Sequence, residues 1–206
     1  LPSVSRNLAE ERNDFARNTV RQAYRFIFVL LMVVVAIMAA NSVPIVEFVF
    51  SEQYNPAGIP AAILAAGGLG LALVALGQTI VIAAGRPYLA FWATVPLVPI
   101  DIGLNWLLIP HYEIIGAAMA TTLTGLLGAV ILGVLVWRQL GAGIPALSIV
   151  RIALAALAAY WVGEWLAFGG LAIIGECAIM AAGYVVALVA LREIRREDIA
   201  PLLFWQ

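Results

Sequence analysis

Runs of about 20 apolar residues recur along the chain, separated by short breaks rich in Gly, Pro and charge. That length is roughly what one membrane-crossing helix needs. Six windows reach it: residues 24–46, 58–84, 87–109, 114–137, 149–167 and 171–191. Turn signals part them at 51–56, at Gly85-Arg86-Pro87, at 110–113, at 141–145 and at Gly169-Gly170. No run alternates apolar with polar at the period of a barrel strand, so the pattern predicts helices. The second window is long enough to tilt or to begin with an interfacial turn.

Composition agrees. Of 206 residues 64% are hydrophobic and 11% charged, and the mean hydropathy is +1.03. A globular chain is nearer 45–50% apolar and about 25% charged. The fold class is therefore all-α integral membrane, with six transmembrane helices.

Charge then supplies direction. All eleven basic residues are arginine. Arg6, Arg12, Arg17, Arg21 and Arg25 precede or open the first window, and Arg86 follows the second. Arg138 and Arg151 bracket the break after the fourth, and Arg192, Arg195 and Arg196 follow the sixth. The breaks after the first, third and fifth windows hold none. The positive-inside rule then puts both termini in the cytoplasm. Arg138, Arg151 and Arg192 are expected to snorkel to that surface. The net charge of −1 hides a polarised molecule. Against the arginines, the cytoplasmic side carries only Glu10, Glu11, Asp14, Glu193, Glu197 and Asp198. Glu47, Glu52, Asp101, Glu113, Glu164 and Glu176 fall in the membrane or outside it.

Several function classes drop out. Without lysine or a basic tract there is no nucleic-acid partner. A lone Cys177 forms no internal disulfide, and His111 alone rules out a histidine-rich metal site. No phosphate-binding loop, nucleophile elbow or zinc-protease motif occurs, so neither an enzyme nor a cofactor is expected.

Polar residues at bilayer depth need a partner or a purpose. Asp101 and Asn105 stand one turn apart on one face of the third window. Asp101 lies about nine residues, roughly 13 Å, inside Pro110. Pro96 and Pro99 just before it predict a kink. Asp101, Asn105 and, in the second window, Gln78 are the candidates for lining a cavity or coupling an ion; contact within the helix bundle is the structural alternative. Gly116, Ala120, Thr124 and Gly128 recur at intervals of four and predict close helix packing. Glu164 and Glu176 flank the Gly169-Gly170 turn and are expected to reach toward headgroups, while Trp161, Trp165 and Phe168 read as an interfacial belt. His111 and Glu113 are expected in a solvated outer loop.

Phe48-Val49-Phe50-Ser51-Glu52-Gln53-Tyr54, Ala84-Gly85-Arg86, and Leu104-Asn105-Trp106-Leu107-Leu108-Ile109-Pro110 followed by Ile115-Gly116-Ala117-Ala118-Met119-Ala120-Thr121 occur in order. With the opening Pro2-x-x-Ser5-Arg6, they resemble the carboxyl-terminal half of Wzx-type polysaccharide flippases. These belong to the MOP superfamily, which also holds MurJ and the MATE exporters. Ser51 and Glu113 depart from the pattern, standing where glycine is common, and Asp101 stands where asparagine is.

The resemblance implies the carboxyl-terminal lobe of a MATE-like two-lobe transporter, alternating access around a central cavity. Residues 1–23 would be a cytoplasmic amphipathic segment, 24–140 the four-helix flippase region, and 141–206 an added two-helix hairpin with a cytoplasmic tail. The chain opens without Met or a signal peptide, and it reads as a fragment whose amino-terminal lobe lies upstream. The implied substrate is an undecaprenyl-pyrophosphate-linked oligosaccharide, moved across the bacterial inner membrane for surface polysaccharide synthesis. The implied partners are the lipid bilayer, the amino-terminal lobe, and polysaccharide polymerase and assembly proteins. Phosphate-binding arginines are expected in that upstream lobe, because no arginine here sits at mid-membrane. Two other readings stay open: a cation-coupled exporter of small organic cations, and a non-transporting scaffold of a polysaccharide-assembly complex.

Overall fold

The computed structural model describes residues 2–166, 172–191 and 193, with side chains from residue 14 onward. Phe168, the Gly169-Gly170 turn, Arg192, Arg195, Arg196 and the side chains of Arg6 and Arg12 lie outside the described residues. All regular structure in the described residues is helical. The elements are α1 (Pro2–Phe50), a 3-10 turn (Glu52–Ala57), α2 (Gly58–Ala83), α3 (Pro87–Thr94), α4 (Leu97–Leu140), α5 (Ala146–Leu166) and α6 (Ala172–Ala190). Among the described residues five stretches are long and apolar enough to cross a membrane: Asp14–Phe50, Glu52–Ala83, Pro87–Leu140, Ala146–Leu166 and Ala172–Ala190. Helices suit lipid because each satisfies its own backbone groups.

The chain divides into two compact units, Leu1–Leu30 with Ala66–Ile144, and Leu31–Ala65 with Pro145–Gln206. In the first, glycines on α2 meet the later part of α4. A Cβ built on Gly67 would lie 2.7 Å from Thr122 Oγ1, one on Gly70 2.7 Å from the Gly125 carbonyl carbon, and one on Gly77 2.8 Å from Leu132 Cβ. Both partners advance together, so these two segments run parallel.

The early part of α4 runs the other way. Gly128 meets Leu97, and Gly116 lies against the Leu108 backbone, its built Cβ 2.6 Å from that carbonyl carbon. In one straight helix Leu97 and Gly128 would be roughly 46 Å apart at 1.5 Å per residue. The reversal sits at Glu113 (φ 52, ψ −124). The four-residue outer loop expected at 110–113 is thus a single non-helical residue, with helix continuing through Pro110 to Tyr112. Tyr24 packs with Val81, Ala90, Leu132 and Val136 to form the core of this unit.

In the second unit α5 and α6 pack antiparallel, with Gly163 against Met180 and Arg151 paired to Glu193 at 3.4 Å. The upper part of α1 joins them at Asn41, which leaves helical geometry (φ −126, ψ 21). Pro44 explains the break, since it has no N–H for the Ala40 carbonyl and its ring crowds that oxygen. Asn41 is buried and donates from Nδ2 to Met180 Sδ at 3.1 Å. Glu176 corrects an expectation. It does not reach toward headgroups but is fully buried, on one stripe of α6 with Ile173, Met180, Tyr184 and Leu188. Glu164 is exposed and accepts a hydrogen bond from Tyr160 at 2.8 Å.

Among the described residues two other than glycine have positive φ, Ser51 (83°) and Glu113 (52°). They are the two positions noted above as standing where glycine is common in the flippases the chain resembles. Ser51, with ψ 164, occupies a region open essentially to glycine alone, and such residues cost about 1–3 kcal/mol each. Ser51→Gly and Glu113→Gly should each raise the thermal midpoint in detergent, by the equivalent of about 1 kcal/mol or more. A lowered midpoint in both variants would show that neither backbone is strained.

Candidate functional site

Asp101 and Asn105 lie on the early part of α4, one turn beyond a break in the helix. The break falls at Val95-Pro96, between α3 and α4. Pro96 cannot donate to the Trp92 carbonyl. The chain recovers through Val98 N donating to Val95 O at 3.2 Å and Ile100 N to Pro96 O at 3.4 Å. Pro99 stands in the first turn of α4, where a missing N–H costs little.

Asp101 and Asn105 are half-buried and share a stripe with Leu97, Leu104 and Leu108, while Val98, Ile102 and Trp106 on the other side are exposed. That stripe faces the later part of α4. Asn105 Nδ2 donates to the Asp101 carbonyl oxygen at 2.9 Å and to Asp101 Oδ2 at 3.1 Å. One carboxylate oxygen is thereby held, and the pair is oriented within its own helix.

The hairpin register adds a third group. Leu97 meets Gly128 and Leu108 meets Gly116, so Asp101, four beyond Leu97, comes level with Thr124, four before Gly128. Thr124 is buried, and its Oγ1 has no hydrogen-bond partner. A buried hydroxyl without a partner costs free energy. The register thus brings a buried hydroxyl to the level of the carboxylate and the amide. Carboxylate, amide and hydroxyl oxygens are the donors a hard cation prefers. Reading the sequence as a packing stripe missed this. All of Gly116, Ala120, Thr124 and Gly128 are buried, but Thr124 alone among them carries a polar atom to satisfy. Gln78 is not part of the group. It is half-buried beside Gly77 on α2, about nine residues, roughly 13 Å, along from the Thr124 level.

Trp161 and Trp165 are exposed at one end of α5, as an interfacial belt would be. Among the described residues no group of three His, Cys, Asp or Glu is placed to hold a metal ion.

A family model, that of the lipid II flippase MurJ, matches residues 1–193. This is nearly the whole chain and takes in every helix of the described residues. The chain belongs to the MurJ family. Membership places it among the lipid-linked-precursor flippases of the MOP superfamily, as a multi-pass membrane transporter. The match is to MurJ and not to the Wzx-type branch in particular. Neither the curated proteins nor the solved structures give a match. The hairpin of α5 and α6, which the resemblance makes an addition to the flippase region, lies inside the matched residues.

Proposed function

We propose that this chain is the carboxyl-terminal lobe of a flippase that moves a polyprenyl-pyrophosphate-linked glycan precursor across the bacterial inner membrane by alternating access. The observation that carries the reading is the MurJ match over residues 1–193. Lipid II, the substrate in that family's name, is the first substrate to test, and the oligosaccharide of the Wzx-type reading is the second. The same match favours a flippase over an exporter of organic cations or a non-transporting scaffold.

Six crossings fit this role, with both termini cytoplasmic. The parallel run of α2 and the later part of α4 supports six, because two parallel crossings need one between them. The stretch from Pro87 to Glu113 supplies it. Arg17 Nε donates to the Leu140 carbonyl at 2.9 Å, and Arg86 hydrogen-bonds Gln139, beside Arg138. Three arginines assigned to the inner side thus gather at one helix end, as the positive-inside rule requires. Asp101, Asn105 and Thr124 would bind the cation or proton whose movement drives the cycle, and a pyrophosphate would need arginines from a preceding lobe.

The test is translocation of labelled lipid II, or of a lipid-linked oligosaccharide, by the full-length protein in proteoliposomes. Accumulation of either at the far leaflet above empty vesicles is expected, and movement of neither would refute the proposal. The topology has its own arm. In a Cys177→Ser background, His111→Cys should react with an impermeant thiol reagent added to intact cells. Arg86→Cys should react only after permeabilisation.

A further inference from the structure

We propose that the end of α4 in the first unit is a binding site for the headgroup of an anionic phospholipid. Three arginines from three separate segments are gathered at its last turn. Arg17, from α1, donates through Nε to the carbonyl of Leu140 at 2.9 Å. Its guanidinium passes so close to Gly141 that a Cβ on that residue would lie 3.7–3.9 Å from Nε, Cζ and Nη2. Arg86, from the turn between α2 and α3, hydrogen-bonds the side chain of Gln139. Arg138 stands on the last turn itself.

A helix C-terminus attracts cations through its exposed carbonyls, but that role needs only one of the three. Gly141, in the left-handed conformation (φ 63), already donates its N–H to Trp137 O at 2.8 Å, and Arg17 takes the Leu140 carbonyl. Arg86 binds a neutral amide, and among the described residues no carboxylate pairs with it. The one carboxylate paired with the set among the described residues is Asp14, 3.5 Å from Arg17 Nη1, in a pair half to three-quarters exposed. Exposed pairs of that kind contribute little. Arg86 and Arg138 are exposed, so charge accumulates where an anion can reach it.

The surroundings identify which anion. Trp137 (62% exposed) precedes Arg138, and its ring lies 3.7 Å from the position a Cβ on Gly143 would take. Tyr88 (69% exposed) follows Arg86 by two residues and meets Trp92 edge to face at 6.2 Å. Trp and Tyr with one apolar and one polar end settle at the headgroup level of a bilayer. A soluble phosphate would have no use for exposed rings beside the cations. A phospholipid uses both, its phosphate on the guanidinium forks and its upper acyl chains along the aromatic faces.

The test is native mass spectrometry of the full-length protein with added phosphatidylglycerol or phosphatidylethanolamine of matched chains. The wild type should retain phosphatidylglycerol in clear preference. Arg86→Gln and Arg138→Gln should each weaken that retention roughly fivefold. Both residues are exposed, so the thermal midpoint should hold. Arg151→Gln, whose guanidinium is already paired with Glu193, should keep the preference. Should a variant fail to fold, wild-type protein in 0.5 M salt must still lose the preference, because exposed charges are screened. Equal retention of the two lipids by wild type overturns the proposal, as does a preference that survives the double substitution. Displacement of the lipid by millimolar inorganic phosphate would assign the patch to a soluble anion and overturn it as well.

Discussion

Gly70→Ala should destabilise the protein by about 3 kcal/mol, the upper part of the usual range for overpacking. The added methyl would sit 2.7 Å from the Gly125 carbonyl carbon, 2.8 Å from Leu126 N and 2.9 Å from Gly125 O. All three are backbone atoms of α4, so no side-chain rotation relieves the overlap. The two helices must separate instead, and separation loosens the neighbouring contacts of Gly67 with Thr122 and of Gly77 with Leu132. Close backbone approach through small residues is what holds helices together where lipid removes the hydrophobic drive. The adjacent Gly68 is the control, since a Cβ there meets nothing within 4 Å. Gly68→Ala should be neutral or gain up to about 1 kcal/mol in helix propensity. Thermal unfolding in detergent, followed by the monodisperse fraction, reads both. Equal midpoints for the two variants would remove the parallel α2–α4 packing as a main source of stability.

Gly70 also shows what the amino-acid pattern reveals and what it hides. Hydropathy locates the crossings, because a run near 20 residues has no soluble explanation, and small residues at intervals of four mark where backbones meet. Ser51 and Glu113 were visible as departures from a family pattern, and their positive φ supplies the physical reason the pattern has glycine. Facing is harder to read. On α6 the buried Ile173, Met180 and Leu188 are no more apolar than the exposed Ile174, Val185 and Val189. Lipid tails and protein core are equally apolar, so periodicity carries almost no signal there. Glu176 could therefore be given a headgroup role from its nearness to a turn, although it points into the bundle. The bend at Asn41 was hidden for a related reason, since Pro44 sits in a run apolar enough to mask its effect. Thr124 was readable only as a small residue, because its level with Asp101 depends on the reversal at Glu113.

Asp101→Asn should lower translocation by the full-length protein at least tenfold and abolish its dependence on the driving cation, while insertion and monodispersity persist. The substitution keeps the shape and one acceptor oxygen, so the 3.1 Å bond from Asn105 can re-form. What it removes is the charge. If Asp101 only ties two turns of α4 together, losing the charge costs little, and the residual activity keeps its ion dependence. If the carboxylate binds the coupling ion, the ion no longer distinguishes two conformations, and a ligand without differential affinity cannot shift an equilibrium. Thr124→Val separates these cases further. It leaves packing volume nearly constant and deletes the buried hydroxyl that now lacks a hydrogen-bond partner. As a purely structural change it should be neutral or stabilising. As the loss of a ligand it should weaken the ion dependence in the same direction as Asp101→Asn. Groups acting as one unit are non-additive, so the double variant should be no worse than Asp101→Asn alone. Independent effects that multiply, or an unchanged ion dependence in Asp101→Asn, would return both residues to the packing of the hairpin.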